Sequence, residues 1–192
     1  MRLLWILYLK ILGWKISDQY PFHLKKFVLI AAPHTSAWDF FLAMAIRSYL
    51  RIYDVKYLGK EELFKGPFGF IFRKTGGVPV DRFNKNAMVD QVVELFNKND
   101  SMVIGLSPEG TRKPVERLRT GFYHIAKKAG VPIVMAGMDF EHRKITIAPP
   151  FYPTDDMEAD MEYILNYFVD LKGKIPSYGL GHLKNPKSST PI

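Results

Sequence analysis

The chain alternates between short apolar runs and longer stretches in which apolar residues recur every three or four positions. "KFVLIAAP" (26–33) is a continuous apolar run stopped by Pro33, the pattern of a buried strand. A helix is predicted from about Ala37 to Leu50. "VKYLGK" (55–60) and "GGVPVDR" (76–82) read as a second and a third strand. In "NKNAMVDQVVELFNKND" (84–100), Met88, Val92, Leu95 and Phe96 stand at helical spacing. "SMVIGL" (101–106) is the next strand, and "TGFYHIAKKAG" (120–130) is a helix closed by Gly130. "VPIVMAGMDF" (131–140) and "KITIAPPF" (144–151) read as strands, and "MEADMEYILNYFVDLKGK" (157–174) as the last long helix. Such alternation predicts an α/β fold, a single domain with a mixed, largely parallel sheet flanked by helices.

The two ends break this pattern. "MRLLWILYLKILGWKI" (1–16) is apolar but interrupted by Lys10 and Lys15. It is shorter than the ~20 residues that cross a bilayer, and it lacks a small-x-small cleavage site. Residues 1–18 are therefore expected to form an apolar amphipathic helix, either lying in a membrane interface or closing the core. Residues 19–180 form the α/β domain, and 181–192 ("GHLKNPKSSTPI") read as a flexible, polar tail.

Composition narrows the function classes. At 192 residues, with 47% hydrophobic and 14% aromatic positions, the chain has ample material for one core. The absence of Cys excludes disulfides, thiolate zinc sites and a cysteine nucleophile. A net charge of +8 favours an anionic partner: nucleic acid, a phosphorylated substrate or an anionic bilayer. Basic residues interleaved with aromatics, as single-strand binders use, are not evident, so no nucleic-acid partner is expected.

In open α/β sheets, ligands gather at the carboxyl ends of strands, and three polar clusters fall there. The first is His34 and Asp39, in "PHTSAWDF". In one regular helix they would lie roughly 140° apart, so cooperation requires the His in the turn and the Asp in the first helical turn. A carboxylate on one imidazole nitrogen fixes the tautomer and leaves the other free to take a proton. Ser36 and Asp39 also fit a capping box, so Asp39 has two candidate roles. The second cluster is "SPEGTR" (107–112), where Glu109, Gly110, Thr111 and Arg112 form a turn suited to phosphate. Ser107 fails as a hydrolase nucleophile, because G-x-S-x-G requires Gly where Glu109 stands. The third is Asp81 and Arg82 at the end of "GGVPVDR", either a surface ion pair or a second guanidinium for the same phosphate. Lys113, Arg117 and Arg119 read as solvated or membrane-facing surface. His23, His124, His142 and His182 lack metal-ligand spacing, so no metal is expected.

H-x4-D at His34 and Asp39, "GGVPVDR", "PEGTR" (108–112) and "GVPIV" (130–134) stand in the order of the four blocks of the glycerolipid acyltransferases. The chain resembles this family, the 1-acylglycerol-3-phosphate acyltransferases, and short bacterial members above all. The resemblance implies acyl transfer from a thioester of acyl-carrier protein or coenzyme A to the hydroxyl of a lysophospholipid-like acceptor, with no metal or resident cofactor. It implies His34 as general base and Asp39 as its orienting partner. Arg82, Glu109, Gly110, Thr111 and Arg112 would bind the acceptor's polar head. Val131, Pro132 and Ile133 would lie near the acyl chain or support the site. It further implies an anionic membrane surface as partner, at the cytoplasmic face of the inner membrane, with peripheral or monotopic attachment. Pro33, Ser107 and "VPIVMAG" depart from the family pattern and leave the acceptor's identity open. The alternative is a non-catalytic binder of anionic lipid or nucleic acid.

Overall fold

The fold was obtained as a computed structural model, which describes residues 2–17, 19–80 and 85–184, without the side chains of 85 and 86. Its central strand is β2 (Lys26–Ala32), and the sequence shows why: both faces are apolar. Val28, Ile30 and Ala32 enter one core, while Phe27, Leu29 and Ala31 enter the other. On one side β2 pairs with β5 (Met102–Leu106), followed by β3 (Val55–Lys60) and β4 (Gly77–Val80), all parallel. On the other side it pairs with β6 (Ile133–Asp139), also parallel. β7 (Lys144–Ile147) then joins β6 antiparallel, and a two-residue β1 (Lys15–Ile16) joins β7 in parallel. The result is a seven-stranded, largely parallel sheet within one α/β domain.

Two helix layers cover it. α5 (Lys85–Lys98), α6 (Gly121–Ala129) and α7 (Met157–Phe168) bury Val92, Phe96, Phe122, Ile125, Ile164 and Phe168 against the first face. α6 has nine residues, fewer than the ~12–15 an isolated helix needs, so its buried side chains rather than its propensity hold it. The other face receives α1 (Arg2–Ile11) and α2 (Trp38–Leu50) through Leu9, Leu42 and Ala45.

Several elements differ from the expected ones. α1 ends at Ile11 because Gly13, at φ +69°, turns the chain so that Lys15 and Ile16 can enter the sheet. β7 stops at Ile147, ahead of Pro149 and Pro150, and Phe151 returns only as an isolated bridge to Ile133. α7 ends at Phe168 rather than 174, because the following residues leave the helix to dock. The Ile175 N–H donates to Thr35 Oγ1 at 3.1 Å, and the Phe140 N–H donates to the Lys172 carbonyl at 2.8 Å. Two short helices were not expected, α3 (Glu62–Lys65) and α4 (Gly69–Lys74). Where the sequence suggested a free tail from 181, Gly181–Leu183 form a 3-10 turn. There His182 Nε2 lies 2.8 Å from the Val115 carbonyl; residues 185–192 lie outside the described ones.

The docked segment sits on Thr35 with no room to spare. A Cβ at Gly173 would fall 2.6 Å from both Thr35 Oγ1 and Cγ2. Gly173→Ala is expected to lower stability by about 1–3 kcal/mol through overpacking, measured by denaturant unfolding. Unchanged stability would show that this contact yields without cost.

Candidate active site

Pro33 ends β2, and the next four residues cross the carboxyl edge of the sheet to α2. His34 lies in this loop, and Asp39 is the second residue of α2. Asp39 Oδ2 accepts from His34 Nδ1 at 3.0 Å and from the N–H groups of Thr35 and Ser36, each at 2.8 Å. The residue that precedes α2 is Ala37, with no side-chain cap, so the expected Ser36 capping box is not closed; Asp39 Oδ2 receives the Ser36 N–H, and Ser36 Oγ accepts the Trp38 N–H at 3.3 Å. Asp39 is 2% exposed and lies in the first turn of α2. With Nδ1 committed as donor to a carboxylate, the second nitrogen, Nε2, carries the lone pair. The His34 side chain is 28% exposed, so part of the ring is accessible from outside.

Glu109 occupies a place the sequence did not indicate. It is 1% exposed, and its Oε2 accepts the His34 backbone N–H at 2.7 Å and the Ser107 hydroxyl at 3.1 Å. Its carboxyl group is thus buried against the loop that carries His34, bonded to that loop's backbone and to Ser107. Burial pushes its carboxyl up to about 7, against the bonds from His34 N–H and Ser107, which favour the charged form. Ser107 belongs to this turn, its oxygen also receiving the Glu109 N–H at 3.3 Å.

The rest of the turn faces outward. Gly110, at φ +67°, lets the chain reverse, and a Cβ there would press to 3.3 Å from Arg119 Cγ. Arg119 is anchored through its N–H to the Pro108 carbonyl at 2.7 Å, so a cation assigned to surface lies against the glycine turn. Arg112 is exposed and bonded to no described residue, and Thr111 Oγ1 accepts the Lys113 N–H at 3.3 Å. β2, β4 and β5 are mutually consistent in direction, so the loops after them share one edge. Asp81 and Arg82 lie outside the described residues.

The fourth block is elsewhere. Val131, Pro132 and Ile133 are buried at the amino end of β6, where Ile133 pairs with Val28. His34 follows Ala32, which pairs with Gly137, so four residues or roughly 13 Å of strand separate the two regions. Those residues support β2 from within the core rather than line the site. At the carboxyl edge stands a second pair, His142 Nδ1 and Asp139 Oδ2 at 2.7 Å. Asp139 Oδ1 also accepts the N–H groups of Glu141 and His142, so this pair closes the turn between β6 and β7. A cleft of about 750 Å³ adjoins the start of α2, lined by Tyr8, Leu12, Trp14, Trp38, Leu42 and Phe140 among others. Among the described residues no cluster of three or more His, Asp or Glu forms a metal-ligand set.

A histidine and a buried aspartate thus stand at the carboxyl edge of a largely parallel sheet, tied through Glu109 to the glycine turn, in an α/β fold of the acyltransferase class. A family model described as Acyltransferase matches residues 14–139, and the chain belongs to that family. It is 33% identical over 96 residues to the 1-acyl-sn-glycerol-3-phosphate acyltransferases of Haemophilus influenzae and Escherichia coli. These matches cover 47% of this chain and 40% and 39% of the relatives, so the chain spans about two fifths of their length. In fold, the crystal structure of the 1-acyl-sn-glycerophosphate acyltransferase PlsC from Thermotoga maritima is similar. It aligns with a TM-score of 0.58 and 19% identity over 100% of this chain and 80% of that one.

Glu109 yields a prediction of definite sign. The unfolded chain releases this proton near 4.5 and the folded protein near 7, so folding binds a proton between those values. Stability contributed by the group therefore falls as pH rises through that window. Relative to Glu109→Gln, the parent should lose about 3 kcal/mol between pH 4.5 and 7 in denaturant unfolding. Parallel pH profiles would remove Glu109 as the titrating group.

Proposed function

We propose that the protein is an O-acyltransferase. It moves a fatty acyl group from an acyl thioester to the hydroxyl of a lysophospholipid-like acceptor, with His34 as general base. The observation that carries this reading is the His34–Asp39 pair at 3.0 Å, placed on the edge that also bears the Gly110–Arg112 turn. Nε2 of His34 takes the proton of the acceptor hydroxyl as that oxygen attacks the thioester carbonyl. Asp39 stabilises the imidazolium that forms. The tetrahedral intermediate collapses with cleavage of the C–S bond, and the imidazolium returns its proton to the departing thiolate. No acyl-enzyme is needed, which agrees with the failure of Ser107 as a nucleophile.

Arg112 supplies a free guanidinium for a phosphate head, with Gly110 and Thr111 shaping the turn around it. Arg82 is assigned to the same head by the family pattern alone. The cleft beside α2 supplies apolar volume for an acyl chain. Coenzyme A or acyl-carrier protein brings the thioester, and no metal or resident cofactor takes part. Among the described residues no helix is long and apolar enough to cross a membrane. By the family resemblance and the basic charge, attachment is assigned as peripheral or monotopic, on the cytoplasmic face of the inner membrane and against anionic lipid.

The test is transfer of labelled acyl groups from either donor to a panel of lysolipids in detergent micelles. His34→Ala is expected to lose at least about 10³-fold in kcat/KM while unfolding like the parent. Near-parental turnover in that variant would end the mechanism. Arg112→Ala should act mainly on binding, raising KM for a phosphorylated acceptor by roughly 10- to 100-fold. The same KM with and without the guanidinium would remove Arg112 from the head-group site.

A further inference from the structure

The two helix layers differ in what they leave uncovered. On α5, α6 and α7, Tyr163 is the one large hydrophobic left exposed among the described residues. On the opposite layer, α1 exposes Leu3, Leu4, Leu7 and Ile11, and α2 exposes Trp38, Phe40 and Phe41. α3 and α4 belong to that layer too. Val55 pairs with Val103, whose side chain enters the α1–α2 core, so Tyr57 and Gly59 point to the same face. Phe64 of α3 packs there, where Cβ atoms on Gly59 and Gly77 would approach its ring to 2.6 and 2.8 Å. Phe40 meets Tyr57 at 5.9 Å between centroids, joining α2 to this region.

The stretch "EELFKGPFGFIFRK" (61–74) thus divides its four phenylalanines by direction. Phe64 is buried and Phe72 half-buried, in contact with each other at 6.0 Å. Phe68 and Phe70 point outward, 66% and 65% exposed, with Leu63 and Ile71 beside them. Leu63, Pro67, Phe68, Ile71 and Phe72 help to line a shallow apolar groove of about 530 Å³. Single exposed hydrophobics need no explanation, but four large ones within nine residues form a patch that water disfavours. Lys60, Lys65, Arg73 and Lys74 surround the patch, all exposed, against Glu61 and Glu62. Glu61 already pairs with Lys65 at 2.9 Å, and Arg73 lies 5.7 Å over the Phe64 ring.

We infer that the α3–α4 pair is a bilayer-docking element. It inserts Leu63, Phe68, Phe70 and Ile71 into the interface of an anionic membrane while its lysines and arginine meet lipid phosphates. The surplus of cations around an outward aromatic cluster selects a bilayer carrying anionic phospholipid over a neutral one. The element shares its layer with α1 and the start of α2, so it sets the orientation of the sheet's carboxyl edge to the lipid surface. This inference rests on the proposal that the acceptor is a membrane lipid.

The chain contains no cysteine, so Phe70→Cys provides a unique site for an environment-sensitive fluorophore. Vesicles of phosphatidylcholine with phosphatidylglycerol should shift its emission to the blue, and vesicles of phosphatidylcholine alone should do so far less. Phe68→Ser/Phe70→Ser should reduce co-sedimentation with the anionic vesicles by roughly tenfold, with unfolding and transfer to a monomeric short-chain lysolipid unchanged. An unshifted fluorophore, parental co-sedimentation of the double variant, or equal binding to neutral vesicles would each overturn the inference. So would a parent dimer that becomes monomeric in the double variant without change in vesicle binding, since the patch would then join two copies. Absence of transfer to the monomeric lysolipid by the parent would overturn the catalytic proposal alone, because the vesicle measurements decide docking independently.

Discussion

The Asp39 carboxylate is where the fold and the candidate chemistry meet. Burying an ionised group costs several kcal/mol unless donors replace the water it loses. Here one oxygen collects the imidazole of His34 and two backbone N–H groups, in the first turn of α2. Such bonds offset part of that cost, while the second oxygen, Oδ1, is buried without a hydrogen-bond partner among the described residues. The same oxygen thus ties the His34 ring and the backbone of the loop to the first turn of α2.

Support for that loop comes from two distant parts of the chain. Glu109, 75 residues later, receives the His34 N–H; Gly173 and Ile175, beyond α7, close on Thr35. A loop held from both sides keeps its histidine in one position, which proton transfer between pre-set groups requires. The exposed side of the edge is left to Arg112, Thr111 and Gly110, where a ligand can approach. The carboxyl groups of Asp39 and Glu109 are buried in this loop, and Arg112 is exposed on the turn beyond it. The layer bearing α1, α2, α3 and α4 leaves many large apolar residues exposed, whereas the layer bearing α5, α6 and α7 exposes one, so the molecule has a sided surface about its sheet among the described residues.

Much of this was legible along the chain. Continuous apolar runs marked β2, β5 and β6, because strands covered on both faces cannot alternate with polar residues. Helical spacing marked α5 and α6, and Gly130 marked the end of α6 by its left-handed backbone. The placement of H-x4-D at a strand-to-helix turn follows from Pro33 and the spacing alone. What escaped was of another kind. α3 and α4 have four and six residues, too short to display a period, and they persist because Phe64 finds the glycine faces of β3 and β4. α7 stops early because its continuation is drawn onto Thr35, a contact 140 residues away in sequence.

The sequence by itself determined the order of strands and helices, the residues able to act as base and cation, and the edge where they collect. Those properties depend on local periodicity and on the chemistry of single side chains. Only the tertiary structure decided that Glu109 is buried against the His34 loop and that Val131–Ile133 lie in the core. Each of those outcomes turns on direction and burial. Two glutamates or aspartates with the same intrinsic chemistry diverge in role once one is enclosed by long-range packing and the other is placed at a helix start.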